Sequence, residues 1–454
     1  MSVHAPVTTA EIHDAALRPI RSSGRRFWIL AAGLALIVMV GVVAYVVQLR
    51  QGLDAAGYND HSFWGIYEAN LVAFIGVSYG GALVSAILRL TNARWRAPIT
   101  RMAEAMALFA LLVGMTYAVI HLGRPERIWR VVVDGHTSSP IVWDFIAITS
   151  YLIVTLVFLY LPLVPDLALA RDRFPEARGL RRWLYRVLSL NWQGLPVQHR
   201  LLARAITTVS ILIIPLAVVV HSVLSWAFAV TTRPGWDSTI FGPYFVVAAL
   251  YSGIGMVILV IAGFRKAYHL EAHITLLHFQ RLAYLMMALG LTYLYFTFTE
   301  LLTEGYKHTD ELTPLLEAIL TGRFAPYFWI FVASAGIIPL LLVALPWTRT
   351  VPGIVVASAL VVVGMWLKRL LIVVPAATHS LIGQSWGDFR LTWVAVAVTV
   401  AGAAAIPLLL MLFFRWVPIL AVNEMEEMRM ETAGEPTLTG FPGTARLQTE
   451  GTPS

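Results

Sequence analysis

His121 and Asp144 bracket the stretch HLGRPERIWRVVVDGHTSSPIVWD, which joins two apolar runs of a 454-residue chain. Histidine titrates near neutral pH unaided, and a carboxylate does so when partial burial raises its pKa. Two such groups at the edge of a low-dielectric layer suit the acceptance of two protons from one molecule. Gly123 and Pro125 stop a helix directly after the histidine. Arg124 is placed to hold Asp144 ionised or to tune the pair. Capping explains the same residues without chemistry: His121 ends one helix, Asp144 N-caps the next, and Arg124 neutralises it.

Other ionisable groups fall inside apolar sequence. Glu68 and Asn70 lie one to two turns inside the second run, where they complete a pocket or start a proton relay. Glu300 and Arg281 in the seventh run and Lys368 and Arg369 in the ninth sit too deep for loop residues and suit ion pairing or a hydrated proton path. Glu300 is the expected partner of the Lys368–Arg369 pair, and Glu304 reads as a snorkelling helix end. Glu104, near the opposite end of the third run, is a further path candidate, although pairing with Arg101 or Arg96 explains it more simply. His221 ends the fifth run on the His121 side, where a belt of interfacial Trp and polar caps accounts for it. No zinc-type or His/carboxylate metal spacing and no phosphate loop occur, so no metal site is expected.

These residues must be held by membrane helices. The chain is 58% hydrophobic and 13% charged, against roughly 25% charged for soluble domains. That composition defines an all-α integral membrane protein. Its net charge of +7 reflects topology and not nucleic-acid binding. The absence of cysteine excludes disulfides, thiolate-held iron–sulfur clusters and c-type haem attachment in this chain. Polar residues run to Arg26 before the first apolar run, so no cleavable signal peptide is expected.

Ten spans are predicted, near 27–49, 66–90, 102–122, 140–163, 205–230, 243–264, 276–302, 326–346, 353–374 and 392–414. Loop arginines and lysines divide about 22 to 8 between the two sides, which places both termini in the cytoplasm and the His121–Asp144 loop outside. The chain then divides into an N-terminal cytoplasmic segment (1–26), a first helix (27–49), a first bundle (50–230), a second bundle (231–374), a last helix (375–416) and a cytoplasmic tail (417–454). The tail after about Glu431 reads as disordered or docked on a partner.

A faint repeat organises the spans. Gly65, Tyr67, Phe74, Gly76 and Ser78 recur at constant offset as Gly242, Tyr244, Tyr251, Gly253 and Gly255. Pro140 and Trp143 are echoed by Pro326 and Trp329, and His221-Ser222 with Trp226 by His379-Ser380 with Trp386. Helices 2–5 and 6–9 therefore read as two parallel copies of a four-helix bundle, flanked by helices 1 and 10. Glu68, Asn70 and Asp144 correspond to Phe245, Val247 and Ile330, which assigns the chemistry to the first bundle. Oxidation of a hydroquinone, which releases two protons and two electrons, is the reaction that fits a proton-accepting pair in a chain without a redox centre. Electrons then leave to a partner.

HLGRPER-x-W followed by SPIVWD resembles the NrfD/polysulfide-reductase family of membrane subunits. FWGIYEAN, LPLVPDLALARDRF, HSVLSWAFAVTTRPGWDSTIFGPYFVVAALYSG and GMWLKRLLIVV are similar to the ActC-type subunits of bacterial alternative complex III, over about residues 25–420. The resemblance implies a multi-pass protein of the bacterial inner membrane that oxidises menaquinol near the periplasmic face, with His121 and Asp144 as the quinol-site histidine and aspartate. It further implies a periplasmic iron–sulfur subunit, a second NrfD-like membrane subunit and haem-c cytochrome subunits as partners, with a proton path through each bundle. Two positions depart from the pattern, Ala227 where an acidic residue is expected and Asp237 where histidine is expected. No outer-face role for the fifth span is therefore carried over. A quinone-reducing anchor of a molybdenum reductase uses the same pocket with electrons reversed. A secondary transporter also suits a parallel repeat, but no span is clearly broken at mid-membrane and the polar groups gather at one face.

Overall fold

The computed structural model describes residues 8–433 apart from 22, 61 and 381–384. In chain order the helices are α1 (Thr9–Arg21), α2 (Arg25–Gln51), α3 (Ile66–Leu90), α4 (Ala97–His121), the short α5 (Arg130–Val133), α6 (Pro140–Arg173), α7 (Gly179–Leu188) and α8 (Pro196–Ala229). There follow α9 (Phe241–Ala267), α10 (Leu276–Lys307), α11 (Thr313–Leu320), α12 (Ala325–Phe331), α13 (Ile338–Ala344), α14 (Val351–Thr378), α15 (Trp393–Phe414) and α16 (Val422–Ala433). Ten of the resulting segments are long and apolar enough to cross a membrane, with α12 and α13 counted together. All ten stand where the apolar runs place them, and the chain is a multi-pass, all-helical membrane protein.

The largest boundary differences concern α6 and α8. α6 runs to Arg173 and α8 begins at Pro196, about ten residues beyond the predicted ends at 163 and 205. Charge ends an apolar run, but it does not end a helix. Backbone hydrogen bonding continues while side chains turn polar, and Pro196 supplies the start as a helix-compatible first residue.

α3, α4, α6 and α8 pack together, and so do α9, α10, α12–α13 and α14; α3 forms the seam by lying against α9 and α14. The seam is tight because two glycines meet there. A Cβ on Gly80 would lie 2.3 Å from the Gly253 Cα, and small residues of this kind let membrane helices approach closely. α2 packs along α15, and α1 meets α16. The His121 ends of the helices thus form one face, and both described chain ends lie at the other.

The eighth span departs from the expectation of unbroken helices. Between α12 and α13, residues Val332–Ile337 form a π-helical turn, followed by Pro339 inside the first turn of α13. The Tyr251 hydroxyl donates to the Ala335 carbonyl at 2.7 Å, which satisfies a backbone group where the helical ladder is out of register. The expected tail beyond Glu431 lies almost wholly outside the described residues.

Candidate functional site

α3 starts at the His121 face with one half of a capping box. The Gly65 N–H donates to Glu68 Oε2 at 2.6 Å, three residues on. Glu68 is therefore in the first turn of its helix, shallower than the sequence suggests. Its second oxygen pairs with His121 Nδ1 at the end of α4. Gly123 adopts φ +65° just beyond, a turn that glycine makes without strain. Sequence groups His121 with Asp144, but the direct partner of the histidine is Glu68.

A shell of residues invisible to spacing arguments supports this pair. The Tyr58 hydroxyl donates to Glu68 Oε2 at 3.0 Å and accepts from the Tyr67 N–H at 3.0 Å. Burial first, and the Glu68 charge second, raise the Tyr58 phenol well above its ordinary pKa. It stays protonated and remains a donor. The Tyr58 ring lies 5.5 Å from the imidazole and stacks on Tyr67. Tyr67 donates to Gln48 Oε1 at 2.6 Å, and Gln48 Nε2 donates to the Ile120 carbonyl at 3.0 Å, one residue before His121. The ring therefore closes from α2 through α3 to α4. Gln48 carries one sequence signal, an amide in an otherwise apolar span that must be satisfied internally. Tyr58 carries none.

Asp144 sits in the first turns of α6, which packs on α4. It is half-buried, and its Oδ1 is enclosed without a hydrogen-bond partner. Among the described residues no ion pair joins it to His121 or to Arg124. Arg124 is exposed, heading the 3-10 turn Pro125–Arg127, so the expected Arg124–Asp144 pairing is not formed. Asn70 is also corrected. It follows Glu68 by two positions, about 200° around a helix, and points away from the site. Its Nδ2 donates to Thr399 Oγ1 at 2.8 Å, and its Oδ1 accepts from Trp366 Nε1 at 2.7 Å. It ties α3 to α14 and α15.

The deeper candidates fall in three separate places and not along one path. Glu104 lies near the face that carries the chain ends. It accepts from Arg89 and from Ser85, each at 2.6 Å, and not from the expected Arg101 or Arg96. Arg101 pairs with Asp166 at 2.8 Å, and Arg96 pairs with Glu424. Arg281 is exposed with its guanidinium 5.4 Å from the Trp95 ring. In the second helix group Lys368 Nζ lies 3.8 Å from Glu300 Oε2. Arg369 donates to the Met365 carbonyl at 2.8 Å and to Ser252 Oγ at 3.0 Å. His221 is no surface cap. It is 1% exposed, two turns inside α8, with its ring 4.3 Å from Tyr79 and facing the same cavity as Arg369. The loop after α8 is structural: Arg233 donates to the Ala376 carbonyl at 3.0 Å, and Trp236 to that of Ile372 at 2.8 Å.

The geometry describes a helical membrane protein in which His121 is ion-paired to Glu68, Glu68 accepts from Tyr58, and one oxygen of Asp144 is enclosed without a hydrogen-bond partner at the same face. The chain belongs to the polysulphide reductase NrfD family, whose sequence pattern matches residues 54–379. It is 28% identical over 436 residues to a protein of Halobacterium salinarum provisionally named as the membrane subunit of a dimethyl sulfoxide reductase, covering 90% of this chain and 96% of that one. It is 25% identical to a selenate reductase subunit of Mesobacillus selenatarsenatis, over 89% and 96% of the two chains. An Hdr-like menaquinol oxidoreductase integral membrane subunit of Archaeoglobus fulgidus is 24% identical, over 73% of this chain and 74% of that one.

Proposed function

We propose that this chain is the quinol-handling membrane subunit of a multi-subunit oxidoreductase, of the alternative complex III type. It oxidises menaquinol near the periplasmic face of a bacterial inner membrane and passes the electrons to an iron–sulfur subunit. The observation that carries this reading is the His121–Glu68–Tyr58 relay on the same face as the enclosed, unpartnered Asp144 oxygen. A hydroquinone bound there gives one phenolic proton to His121 Nε2. Glu68 on Nδ1 fixes the ring orientation and stabilises the imidazolium that forms, as a carboxylate does for a catalytic histidine. The second proton goes to Asp144 Oδ1, which has no other partner to lose. The two electrons go to the partner's cluster, since this chain has no cysteine and, among its described residues, no cluster of metal-ligating side chains.

The same pocket suits quinone reduction in a molybdenum reductase, with protons moving in and electrons reversed. The relatives named as dimethyl sulfoxide and selenate reductase subunits favour that second reading. The relative named as a menaquinol oxidoreductase subunit favours the first. Haem-c subunits and a second NrfD-like membrane subunit belong to the first reading, as does proton translocation through Glu300, Lys368 and Arg369.

Asp144→Asn keeps the shape and removes the proton acceptor. In the purified complex it should abolish menaquinol oxidation, losing at least about 10²-fold, while all subunits still assemble. Normal turnover in that variant would remove Asp144 from the mechanism. A complex that reduces menaquinone from an iron–sulfur donor but does not oxidise menaquinol would select the reductase direction.

A further inference from the structure

The connection from α6 to α8 carries eight arginines between Arg171 and Arg204, against two carboxylates, Asp172 and Glu176. It lies at the face opposite His121, and the quinol chemistry uses none of it. Its central element is the ten-residue α7 (Gly179–Leu188).

α7 folds back along the end of α6. Near its start, the Arg181 guanidinium lies 5.2 Å from the Phe174 ring centre. At its other end, the Tyr160 hydroxyl donates to the Leu188 carbonyl at 2.9 Å. Phe174 stands beyond the apolar run of α6 and Tyr160 within it, so α7 crosses the level where hydrocarbon gives way to head groups. A second contact marks the same level. The Tyr185 hydroxyl donates to the Trp416 carbonyl at 2.9 Å, and the adjoining Arg415 places its guanidinium 5.5 Å from the Trp28 ring centre. Aromatic and basic side chains gathered in this way are the mark of a membrane interface.

The rest of the α7 surface has no protein against it. Leu180, Trp183 and Val187, spaced three and four apart, form one apolar stripe and are 62%, 56% and 44% exposed. Arg182 and Arg186 run beside the stripe, exposed and without an ion pair among the described residues. An interfacial helix of this pattern sinks its apolar side to the upper acyl chains and keeps its cations among the head groups. The stripe accounts for lipid, and the arginines select which lipid. Two guanidiniums one turn apart, about 6 Å along the axis, suit phosphate oxygens, which arginine can bind in bidentate fashion. In a zwitterionic head group an ammonium offsets the phosphate, whereas an anionic head group leaves that charge uncompensated.

We propose that the outer surface of α7 is a binding site for an anionic phospholipid, with its phosphate on Arg182 and Arg186 and its acyl chains along Leu180, Trp183 and Val187. The site stands whether or not His121 and Asp144 handle quinol.

The test is photolabelling of the intact purified complex in phosphatidylcholine vesicles. These contain a trace of phosphatidylglycerol with a diazirine in one acyl chain, or of the matching phosphatidylcholine probe. Adducts are mapped on chymotryptic peptides, whose ends do not depend on the arginines to be substituted. The phosphatidylglycerol probe should label residues 175–192 at least about fivefold more than the phosphatidylcholine probe, the factor that one arginine contributes beside an anionic head group. Arg182→Gln combined with Arg186→Gln should abolish the preference, and Arg182→Lys combined with Arg186→Lys should keep most of it. Both pairs change exposed side chains only and leave the contacts of Arg181, Tyr185 and Leu188 in place. Equal labelling by the two probes in the unaltered complex overturns the site. So does a preference that survives the double glutamine variant, or one that inorganic phosphate displaces and unlabelled phosphatidylglycerol does not. Absence of adducts on α7 with either probe overturns it as well, and would mean that a partner subunit or water covers the helix.

Discussion

At the scale of single residues, the decisive feature is that His121 is held by a carboxylate from another helix. A lone interfacial histidine is free to rotate, and either nitrogen can carry the proton. With Glu68 on Nδ1 and Tyr58 donating to the other Glu68 oxygen, the ring presents Nε2 to whatever binds at that face. Glu68→Gln tests this. The amide still accepts from Tyr58 and Gly65 but no longer stabilises an imidazolium. Quinol oxidation should fall about 10- to 100-fold, the usual effect of removing a supporting carboxylate. An unchanged rate would make Glu68 a helix cap and nothing more. Sequence exposes this site unevenly, for a physical reason. His121 and Asp144 are legible because ionisable groups at the ends of apolar runs are rare. Glu68 is legible as a buried charge but not as the partner of His121, because contact between α3 and α4 is a tertiary fact. Proximity in sequence groups Asn70 with Glu68, whereas helical geometry sends positions two apart to opposite sides.

At the scale of elements, the termini face is closed by α16. Glu424 pairs with Arg89 at 2.5 Å and with Arg96, and Asp166 accepts from the backbone N–H groups of Val422 and Asn423, each at 3.2 Å, as well as from Arg101. His13 of α1 meets Glu426 at 2.6 Å. Three arginines, Arg89, Arg96 and Arg101, are thus balanced by Glu104, Asp166 and Glu424. α16 supplies one of those carboxylates, so it serves as a stopper for the first helix group. Burial alone would raise the Glu424 carboxyl, but Arg89 and Arg96 outweigh it and hold its pKa below the ordinary value. A depressed folded-state pKa adds stability that is fully present above the ordinary value of 4.5 and is lost as pH falls through the folded value. Proteolysis of α16 should therefore be slow at neutral pH and accelerate only under acid conditions. Glu424→Gln takes one partner from the buried Arg89 and one from the half-buried Arg96 and should cost about 3 kcal/mol, seen as earlier thermal unfolding and as α16 cleavage at neutral pH. Wild-type resistance in that variant would show that packing, not charge, holds the stopper. None of this is legible in sequence, where Glu104 has Arg101 and Arg96 as its nearest basic candidates and α16 reads as part of a polar tail.

At the scale of the whole molecule, the ten spans are legible because membrane helices must satisfy their backbone internally and so announce themselves as long apolar runs. The inter-helix seam, which turns on Gly80 meeting Gly253, is not, since many glycines stand in such runs. Function at this scale depends on which face points outward, because protons released at His121 contribute to a gradient only if that face is outside. We propose, from the distribution of positive charge, that the long α6–α8 connection and both chain ends lie inside. The absence of cysteine makes the chain well suited to a direct check, because any introduced thiol is the sole target. Ser138 in the loop before α6 and Glu176 after it are both exposed, on opposite faces. In right-side-out spheroplasts a membrane-impermeant maleimide should label Ser138→Cys at once and Glu176→Cys only after the membrane is opened. The reverse pattern would put the His121 relay and Asp144 on the inner side. Quinol oxidation there would release its protons into the cytoplasm, and an iron–sulfur partner would have to dock on that side. The assignment of this chain to a periplasm-facing quinol oxidase would then fail, even if Asp144→Asn still abolished turnover.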